Sequence, residues 1–527
     1  MAGLNVTRAL TCKFNAQLSA GRVQTPTLAL LVQREEEIRR FVPKDYYTVR
    51  ADLGNFFVTW HNGKNQTAIS DKEKADAIAE KIREKKFRIT EVKKTFGSTP
   101  PPMLYDLTEL QRDANKLYQY SPKQTLNIMQ RLYETHKALT YPRTDSRYLT
   151  ADLVPTLPER LRAVNHGEFG PIVGEIFRTR KSISHACVNN AKVTDHHAII
   201  PTEEQVNLLS LNQEERRIYT LVVKRFLTCF YPSYDFKKIR VELTAEGESF
   251  SAAGREIIEL GWKKVEKGIE EDEEEAAEQV LPNLRQGDSF VCKNIQLKAQ
   301  KTAPPARYTE ASLVRAMEEK GVGRPSTYAT IVSTIQDLGT PATRADIIEK
   351  LFSSFYVEKR GNSLVPTSKG MQLIGLVPPD LKEPLLTARW EQRLEGISQG
   401  KENRGAFIKE IKGYATALVK TVASSEATYV HENMTQKICP ECGKHLLMVN
   451  TKKGKMLVCQ DRECGYRRNV VTETRVRCPN CHKFMELFGE GDNKTFACRC
   501  GFRSKADKFF ESREKRSSAS KRDVQQY

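Results

Sequence analysis

Apolar and polar positions repeat with two different periods along this chain, and the change of period separates helices from strands. Leu28, Leu31 and Val32 recur at helical spacing and predict a helix whose acidic end, EEEI, turns outward. Residues 45–95 instead alternate apolar and polar side chains in YYTVRADL, FFVTWHNG and KFRITEVKK, which predicts antiparallel strands. Helical spacing returns in SPKQTLNIMQRLYETHKAL, and we expect that helix to begin at Pro122.

The boundaries between these patterns predict a β-rich region that is interrupted by helices. Three prolines in FGSTPPPML end the first strand region, and a helix capped near Thr108 is expected to follow. After about residue 205, EERRIYTLVVKRFLTCF predicts another helix, and FKKIRVELTAEG returns to strand periodicity. Strands on both sides of a helical insertion fit one β-rich domain that the chain enters twice. The pattern therefore predicts a multidomain α+β protein.

Composition and charge suit a large protein with a polyanionic partner. The 527 residues leave room for several domains, and 39% hydrophobic content is enough for packed cores. The net charge of +18 favours nucleic acid bound by counterion release, although a merely basic surface explains the charge equally well. Apolar runs stay far below the roughly 18 residues of a membrane span, and no signal peptide is evident. We therefore expect no membrane partner and a cytoplasmic location.

Eight of the twelve cysteines lie in close pairs after residue 438. In each set of four, a spacer of hairpin length separates two pairs, which indicates a tetrahedral sulfur site suited to structural Zn²⁺. Disulfides are the alternative, and a reducing compartment disfavours them. The CxC spacing of the last pair is tighter than the usual CxxC. The two sets are Cys439, Cys442, Cys459 and Cys464, then Cys478, Cys481, Cys498 and Cys500.

A tyrosine and an arginine stand two residues apart in LTYPRTDSRYL, at residues 139–149. The phenolate of Tyr141 can attack a phosphodiester, because the phosphotyrosine ester that forms is similar in energy to the bond that breaks. The guanidinium of Arg143 can hold the non-bridging phosphate oxygens and stabilise the charge of the transition state. The pair indicates reversible DNA strand breakage without ATP; an ordinary surface tyrosine is the alternative.

Three segments occur together in the order found in type IA DNA topoisomerases. They are SAGRVQTPTLALLVQREEEI at 19–38, TYPRTDS at 140–146 and TDHHAIIPT at 194–202. On these motifs the chain resembles that family over nearly its whole length, most closely bacterial topoisomerase III. The resemblance implies a toroidal core of helical domains plus a β-rich hinge domain entered twice, followed by two small zinc ribbons. It also implies cleavage of one strand through a 5′-phosphotyrosine, passage of another strand, and religation.

The resemblance assigns roles to individual side chains. Tyr141 matches the family's nucleophile, Arg143 its scissile-phosphate arginine, and His196 the histidine of its second active-site segment. That histidine can bond the phosphate or ease proton transfer, whereas the adjacent His197 keeps a structural role. In the first motif, small residues allow a phosphate backbone to approach, with a simple cap-and-turn as the alternative. The candidate DNA contacts there are Ser19, Gly21, Arg22 and Gln24.

The metal-binding half of the family's active site has no counterpart in this sequence. Type IA enzymes carry a Toprim domain whose acids bind Mg²⁺, and the match here starts at GLNVTRAL, which follows that domain. The acidic run Glu270–Glu275 does not replace it, because adjacent carboxylates repel one another and indicate a solvated loop. We therefore expect Mg²⁺ to depend on a Toprim-containing polypeptide as partner. Single-stranded or underwound DNA is the expected substrate, with very poor cleavage by this chain alone.

One region departs from the family pattern. YTEASLVRAMEEKGVGRPSTYATIVSTIQ at 308–336 resembles the topoisomerase I version of a segment, and TPATRADIIEKLF at 340–352 resembles the topoisomerase III version. Each predicts a helix with a cap, Ser326 or Thr343, and a basic residue near its start, Arg324 or Arg344. Because helix N-termini with arginine suit phosphate binding, either arginine could make the family's DNA contact.

The resemblance also predicts the domain boundaries. We expect residues 1–42 and 301–430 to form the helical DNA-binding domain, 43–100 and 206–300 the β-rich domain, and 101–205 the helical domain with Tyr141. The zinc ribbons are expected at 436–470 and 475–505. Residues 506–527 are expected to form a basic tail that is ordered only around Phe509 and Phe510 and is otherwise disordered.

Two other functions stay open. One is a catalytically inactive single-stranded-DNA-binding clamp with zinc ribbons. A tyrosine recombinase or relaxase is disfavoured, because Tyr141 lies early and only two adjacent histidines are at hand.

Overall fold

The chain divides into two compact units in the computed structural model. Unit 1 comprises Met1–Thr25, Thr367–Leu386 and Arg393–Tyr527, and unit 2 comprises Pro26–Pro366 and Thr387–Gln392. The structure describes residues 2–21, 23–193, 195–266, 279–318, 341–383, 390, 393–394, 396–431, 433–451, 454–461, 463–469, 472–488, 494–498 and 500–510. Arg22, the acidic run, Arg324, Ser326 and the tail beyond residue 510 lie outside these ranges.

The helices of the described residues are numbered here in chain order. They are α1 (Ala2–Phe14), α2 (Gln24–Arg40), α3 (Lys72–Lys81), α4 (Leu107–Tyr118), α5 (Pro122–Glu134), α6 (Leu157–Ala163), α7 (Gly170–Arg178), α8 (Gln213–Thr228), α9 (Glu310–Glu318), α10 (Pro341–Ser353), α11 (Ser368–Leu376) and α12 (Arg404–Ser424). Short 3-10 turns lie at Ala151–Thr156, Gly167–Phe169, His185–Cys187, Asn190–Lys192, Gly261–Lys264 and Pro379–Lys382.

The strands are numbered in the same way. They are β1 (Asp45–Asp52), β2 (Phe57–His61), β3 (Lys86–Thr99), β4 (Tyr234–Ala245), β5 (Glu248–Glu259), β6 (Ser289–Val291), β7 (Asn294–Lys301), β8 (Val357–Arg360), β9 (Ser363–Pro366), β10 (Met434–Ile438), β11 (His445–Thr451), β12 (Gly454–Cys459), β13 (Arg467–Asn469), β14 (Thr472–Arg477), β15 (Phe484–Phe488), β16 (Thr495–Ala497) and β17 (Arg503–Lys505).

Side-chain caps explain where the helices around the tyrosine segment begin. Helix α5 starts at Pro122 as predicted, and the backbone N–H of Gln124 donates to the hydroxyl of Ser121. The helix predicted to be capped near Thr108 is present as α4, and its cap lies two residues earlier, at Asp106. Asp106 caps that helix by accepting from the N–H of Glu109 at 2.7 Å, so Thr108 lies buried in the first turn. Both are capping side chains, and local sequence alone does not rank them.

A seven-stranded antiparallel sheet forms the β-rich part of unit 2. Its strand order is β6-β3-β4-β5-β2-β1-β7, so β1–β3 share the sheet with β4–β7 from the far side of the helical region. Strand β1 pairs with β7 along its length, from Asp45 opposite Lys301 to Asp52 opposite Asn294. The predicted β-rich fold entered twice is confirmed.

Helix α3 was missed by the sequence analysis, which expected only strands between 45 and 95. Only Ala75 and Ile78 of this helix are buried, where they join the core on one face of the sheet. Two apolar positions are too few for a helical period to stand out from a polar stretch. The signal that could have found it is Asp71, whose carboxylate accepts from the N–H of Glu73.

A second core fills the helical part of unit 2 around the tyrosine segment. Buried apolar side chains of α4, α5 and α8 form it together with the ends of the tyrosine and histidine segments, including Leu110, Leu132, Leu139, Ile199 and Phe226. Helix α8 begins with a capping box between Asn212 and Glu215, in agreement with the predicted helix. This core fixes the tyrosine segment and the histidine segment to the same helical scaffold.

Unit 1 joins the N-terminal helix to C-terminal elements. Lys13 of α1 donates through Nζ to the carbonyls of Val422 and Ala423, which end α12, each at 2.9 Å. Strands β10–β13 and β14–β17 form two separate four-stranded sheets. As expected, the start of the tail is ordered, and Phe509 is buried with its ring 5.2 Å from that of Phe496. No helix in the described ranges is long and apolar enough to cross a membrane.

Glu35 of α2 shows that the predicted outward-facing end of this helix is partly wrong. Its side chain is only 6% exposed, and Arg307 donates to its two carboxylate oxygens at 2.8 and 3.1 Å. Hydrogen bonding from the Arg307 guanidinium lowers the pKa of Glu35. Because Arg307 is 272 positions from Glu35, the local sequence pattern around α2 cannot indicate this partner. The inner half of the prediction holds, because Leu28, Leu31 and Val32 are all buried.

Removing this arginine should destabilise unit 2. We expect Arg307→Gln to cost about 3 kcal/mol at pH 7, because it leaves a buried carboxylate without its bidentate partner. Since the folded-state pKa of Glu35 is lowered, the stabilisation is present above the ordinary pKa and is lost as the pH falls. The difference from wild type should therefore shrink below about pH 4. Urea unfolding of the variant and of wild type, at pH 7 and below about pH 4, measures the difference in the free energy of unfolding.

The matched control is Arg83→Gln, because Arg83 pairs with the exposed Glu80 at the surface of the same unit. That change should stay within about 0.5 kcal/mol of wild type. Equal urea midpoints for Arg307→Gln and Arg83→Gln at pH 7 would contradict a stabilising role for the buried pair.

Candidate active site and zinc centres

The tyrosine segment follows α5 as an extended loop that is anchored at both ends. Near its start Leu139 forms a β-bridge with Pro201, and near its end Leu149 forms one with Val188. Between these anchors, burial alternates along the backbone. The side chains of Pro142, Thr144 and Ser146 are buried, whereas Tyr141 is half-buried and Arg143 and Asp145 are exposed. The local conformation thus presents the tyrosine and the arginine on the accessible side of one loop.

The structure brings Tyr141 and His196 together. Their rings lie with centroids 4.2 Å apart and an interplanar angle of 40°. Tyr133 of α5 also packs edge-on against Tyr141, with the ring centroids of the two tyrosines 5.5 Å apart. His196 is exposed, as is Arg143, for which the described part of the chain provides no ion-pair partner. A phosphate that approaches the phenol can therefore meet both side chains.

Buried Thr144 connects the two segments. Its hydroxyl donates to the carbonyl of His196 at 2.9 Å and accepts from the N–H of Ser146 at 3.0 Å. Its own carbonyl accepts from the N–H of Leu107, the first residue of α4, at 3.1 Å. The threonine is 2% exposed, so water cannot take over these bonds. Through these bonds, Thr144 sets the spacing between the tyrosine loop, the histidine loop and the start of α4.

Arg147 makes a second link to the start of α4. Its Nε donates to Asp106 at 2.5 Å, and a terminal nitrogen donates to Glu109 at 3.1 Å. Asp106 is itself buried and caps α4, so one carboxylate serves both the helix and the loop. Sequence reasoning missed Asp106, Thr144 and Arg147. The usable signal was that Thr144 and Arg147 occur within the same motif as Tyr141.

The two adjacent histidines occupy different environments. The ring of His197 is half-buried, its Nδ1 lies 2.7 Å from the carbonyl oxygen of Ala198, and burial lowers its pKa. Donation from Nδ1–H to that carbonyl gives His197 the structural role expected from the sequence. His196 is exposed and faces the tyrosine ring. Of the two, only His196 is in a position to meet substrate.

The eight paired cysteines form two clusters of four. Within each cluster all four sulfur atoms lie within 4.8 Å of one another. In the first, Cys439 and Cys464 are 3.7 Å apart and Cys442 and Cys459 are 3.3 Å apart. A tetrahedral zinc–thiolate site with bonds of about 2.3 Å requires sulfur separations of about 3.8 Å. The first cluster therefore could hold Zn²⁺.

The second cluster repeats the geometry of the first despite its CxC spacing. The Sγ atoms of Cys478 and Cys500 are 3.5 Å apart, and those of Cys481 and Cys498 are 3.4 Å apart. The backbone turns also correspond. The N–H of Cys439 donates to the carbonyl of Lys444, and that of Cys478 donates to the carbonyl of Lys483 in the same way. Both clusters thus fit a structural zinc ribbon.

Comparison with known proteins places the chain in a family. A family model described as DNA topoisomerase matches residues 1–337 and 336–409. The chain belongs to the type IA DNA topoisomerases. A DNA topoisomerase 3 of Bacillus cereus (strain ATCC 10987) is 48% identical, over 100% of this chain and 73% of that relative. The DNA topoisomerase 3 of Bacillus subtilis (strain 168) is 46% identical, over 100% of this chain and 74% of its own length.

A solved structure supports the fold of this type IA topoisomerase. Full-length topoisomerase I from Thermotoga maritima superposes with a TM-score of 0.62 at 24% identity, and the match covers 96% of this chain and 73% of that one. The predicted type IA topoisomerase fold is therefore confirmed, as is the resemblance to topoisomerase III.

Three candidate DNA contacts of this topoisomerase, Ser19, Gly21 and Gln24, lie in unit 1 where α2 begins. The N–H of Gly21 donates to the hydroxyl of Thr25 at 3.0 Å, and Gly21 returns a carbonyl bond to the N–H of the same residue. Ser19 is half-buried, while Gln24 is 6% exposed. The turn considered in the sequence analysis is therefore present, and the contact of these residues with DNA stays a prediction.

Arg344 of unit 2 is held inside the protein. The residue is 1% exposed, and its guanidinium donates to the hydroxyl of Thr108 at 2.9 Å, which joins α10 to the first turn of α4. The predicted cap at Thr343 is wrong, because α10 already runs from Pro341 and Thr343 lies inside its first turn. Here Arg344 presents no exposed guanidinium to a phosphate.

Mg²⁺ has no ready site among the residues that the structure describes. Within those ranges, the only places where three or more potential ligand side chains converge are the two cysteine clusters. Thiolates select zinc, whereas Mg²⁺ requires oxygen ligands. The described residues therefore do not fit Mg²⁺, and no chemical step is derived through it.

The purified chain should contain two zinc ions. We expect Cys478→Ser to lower the zinc content from two ions to one per chain, because three thiolates and a hydroxyl bind Zn²⁺ far more weakly than four thiolates. Cys12→Ser is the matched control, since Cys12 is an exposed cysteine outside both clusters. Elemental analysis by mass spectrometry counts the ions. Two zinc ions in Cys478→Ser, or fewer than two in Cys12→Ser, would refute the assignment.

Proposed function

We propose that this type IA topoisomerase cuts one DNA strand transiently through Tyr141, passes another strand through the gap and reseals the first without ATP. The observation that carries the proposal is the 4.2 Å ring contact between Tyr141 and His196 beside the exposed Arg143. The family membership and the relatives named DNA topoisomerase 3 support it.

The proposed cleavage step is a transesterification. The Oη of Tyr141 attacks the phosphorus and loses its proton, and the bond from phosphorus to the 3′ oxygen breaks. The 3′ oxygen takes up a proton and leaves as a hydroxyl, while the 5′ phosphate stays on the tyrosine. Attack by the same hydroxyl reverses the step. Because one phosphodiester replaces another, the bond energy is kept and no ATP is required.

Arg143 and His196 would serve the phosphate. A guanidinium can donate two parallel hydrogen bonds to the non-bridging oxygens and stabilise the charge that builds up on them. The imidazole of His196, in ring contact with Tyr141, can donate to the same phosphate or ease proton transfer at the phenol. Thr144 would act as a positioning residue, because its hydroxyl holds the carbonyl of His196.

Other parts of the proposal concern what the chain works with. Metal-dependent acid and base chemistry would come from a Toprim segment outside these 527 residues, which supplies the Mg²⁺ ligands. Single-stranded or underwound DNA would be the substrate, contacted in unit 1 by Ser19, Gly21, Arg22 and Gln24, with Arg324 as a further candidate. The location would be the bacterial cytoplasm, in association with the nucleoid. The domain boundaries follow those predicted from the family.

The covalent intermediate provides a direct test. We expect a single-stranded oligonucleotide labelled at its 3′ end to form a protein adduct on denaturing gels when wild-type chain, Mg²⁺ and a Toprim polypeptide are combined. Tyr141→Phe should give no adduct, because the attacking oxygen is gone. Tyr133→Phe is the control, since it keeps the neighbouring ring and the nucleophile.

The outcome separates the proposal from its alternative. An adduct in Tyr141→Phe would assign the nucleophile elsewhere. Binding of the oligonucleotide without adduct under every condition would leave the inactive clamp with zinc ribbons as the function. The absence of a Mg²⁺ site among the described residues is the observation that favours this alternative for the isolated chain.

Arg143 should matter for rate more than for binding. We expect Arg143→Gln to slow adduct formation about 100-fold or more, because it removes charge stabilisation that develops in the transition state. Arg178→Gln, an exposed arginine at the end of α7, is the control for loss of one positive charge. Rates of adduct formation at saturating oligonucleotide measure the effect. Equal rates for the two variants would exclude Arg143 from the reaction.

A further inference from the structure

Two cysteines of unit 2 lie outside both cysteine clusters and take no part in the proposed chemistry. Cys187 and Cys229 are each 1% exposed and belong to the same apolar core. We propose that these two residues form a site of reversible oxidation, at which hydrogen peroxide converts their thiols into one disulfide. Where disulfides do form in a reducing compartment, they are usually transient and serve catalysis or redox sensing.

Backbone hydrogen bonds bring the two cysteines together. The N–H of Ser184 donates to the carbonyl of Cys229 at 2.8 Å, and the carbonyl of Ser184 accepts from the N–H of Cys187 at 2.9 Å. The two thiols are hydrogen-bonded to each other. A disulfide requires two cysteines that are close and whose side chains point at each other. Since the thiols are already in contact, disulfide formation requires only a local approach of the two sulfur atoms.

A small oxidant can reach this pair from the side of Cys187. This residue ends a short 3-10 turn, His185–Cys187, whose other two residues are exposed. Its thiol therefore lies directly beneath the surface. Short surface turns open locally at little cost in free energy, and hydrogen peroxide is not much larger than water. Burial thus favours a small oxidant over a bulky disulfide reagent.

The surroundings give the two thiols different roles. The sulfur of Cys229 lies 3.6 Å from the carbonyl oxygen of Arg225 and 3.7 Å from that of Pro102. A carbonyl oxygen accepts from a thiol but repels a thiolate. Hydrogen bonding with Cys187 and burial raise the pKa of Cys229, whereas hydrogen bonding with Cys229 lowers the pKa of Cys187. Because the thiolate is the nucleophile, Cys187 attacks the oxidant and Cys229 resolves the product.

The oxidation balances with hydrogen peroxide as its co-reactant. The sulfur of Cys187 attacks one peroxide oxygen, the O–O bond breaks, and the other oxygen leaves as water with the thiol proton. The sulfur of Cys229 then attacks the sulfenic acid on Cys187. The S–O bond breaks, and its hydroxyl leaves as a second water with the proton of Cys229. The two sulfurs are oxidised and the two peroxide oxygens are reduced. Exchange with a small thiol reverses the reaction.

The disulfide would act on the tyrosine loop through the second of its two anchors. The carbonyl of Cys187 accepts from the N–H of Leu149 at 2.8 Å, and Leu149 forms its β-bridge with the next residue, Val188. Cys229 directly follows α8. A bond between the two sulfurs would therefore fix this anchor to the end of α8. It would also restrict the unfolded chain, so the oxidised protein should resist unfolding better.

Peptide mapping tests the proposal on the full, zinc-loaded chain. The chain is treated with hydrogen peroxide, its free thiols are blocked with iodoacetamide in denaturant, and it is digested with trypsin without reduction. Cys187 and Cys229 fall in separate tryptic peptides, 182–192 and 226–237, each with a single cysteine. We expect mass spectrometry to find these two peptides cross-linked, and a reductant to separate them.

Two variants make the test specific. Cys292→Ala is the matched control, because Cys292 is also buried but lies in the core beside the sheet. It should form the cross-link as wild type does. Cys229→Ala should leave a sulfenic acid on Cys187, which dimedone traps. Peroxide should raise the urea midpoint of Cys292→Ala relative to that of Cys229→Ala, since oxidation of the zinc clusters is common to both. Urea unfolding without peroxide verifies that each variant folds.

Other outcomes overturn the proposal. Both thiols might stay open to iodoacetamide after a peroxide dose that oxidises the exposed Cys12, which would show that the pair does not react. A disulfide from Cys187 to any other cysteine, or its conversion to a sulfinic acid in wild type, would assign no resolving role to Cys229. Trapping of Cys229 by dimedone in Cys187→Ala at the wild-type rate would reverse the roles. The test uses no DNA, so its result is independent of the proposed function.

Discussion

The geometry of the candidate active site depends on hydrogen bonds to the polar groups of one buried threonine. Thr144 lies out of reach of water, so its hydroxyl and carbonyl must find partners within the protein. They find Leu107 at the start of α4, the carbonyl of His196 and the N–H of Ser146. Any shift of the tyrosine loop against the histidine loop would break at least one of these bonds. Precise placement of Tyr141 thus follows from an ordinary rule of buried hydrogen bonding.

The sequence predicted those parts of the fold that local periodicity encodes. The apolar stripe of α2 and the start of α5 at Pro122 are as expected, since both arise from neighbours a few residues apart. The sequence-based prediction failed where a residue far along the chain determines whether a side chain is buried. Glu35 is buried because Arg307 meets it, and a local pattern cannot contain that information. Helix α3 was not predicted, because it buries too few apolar side chains to show a clear helical period in the sequence.

For the candidate site too, features encoded in local motifs were predicted, and contacts between distant segments were not. Tyr141 and His196 were matched to family roles by their motifs, and their ring contact is consistent with that interpretation. The bonds that hold them, through Thr144 and Arg147, were not predicted, because they join segments whose spacing exists only in the fold. For the two cysteine clusters, the spacing of the cysteines in the sequence was sufficient to predict which four sulfur atoms lie together. The CxC pair ending at Cys500 forms the same kind of cluster as the wider-spaced pairs, since a tetrahedral site constrains the sulfur positions more than the backbone path.

The pair between Glu35 and Arg307 also constrains how the protein is made. The two residues are 272 positions apart, and β1 and β7 close over a similar distance. At about 5–20 residues per second, a ribosome needs roughly 15–50 s to synthesise the chain between them. Throughout that interval α2 carries a carboxylate without its partner, and β1 has an unpaired edge. Unit 2 therefore completes its folding late in translation, and its early strands are exposed to aggregation until then.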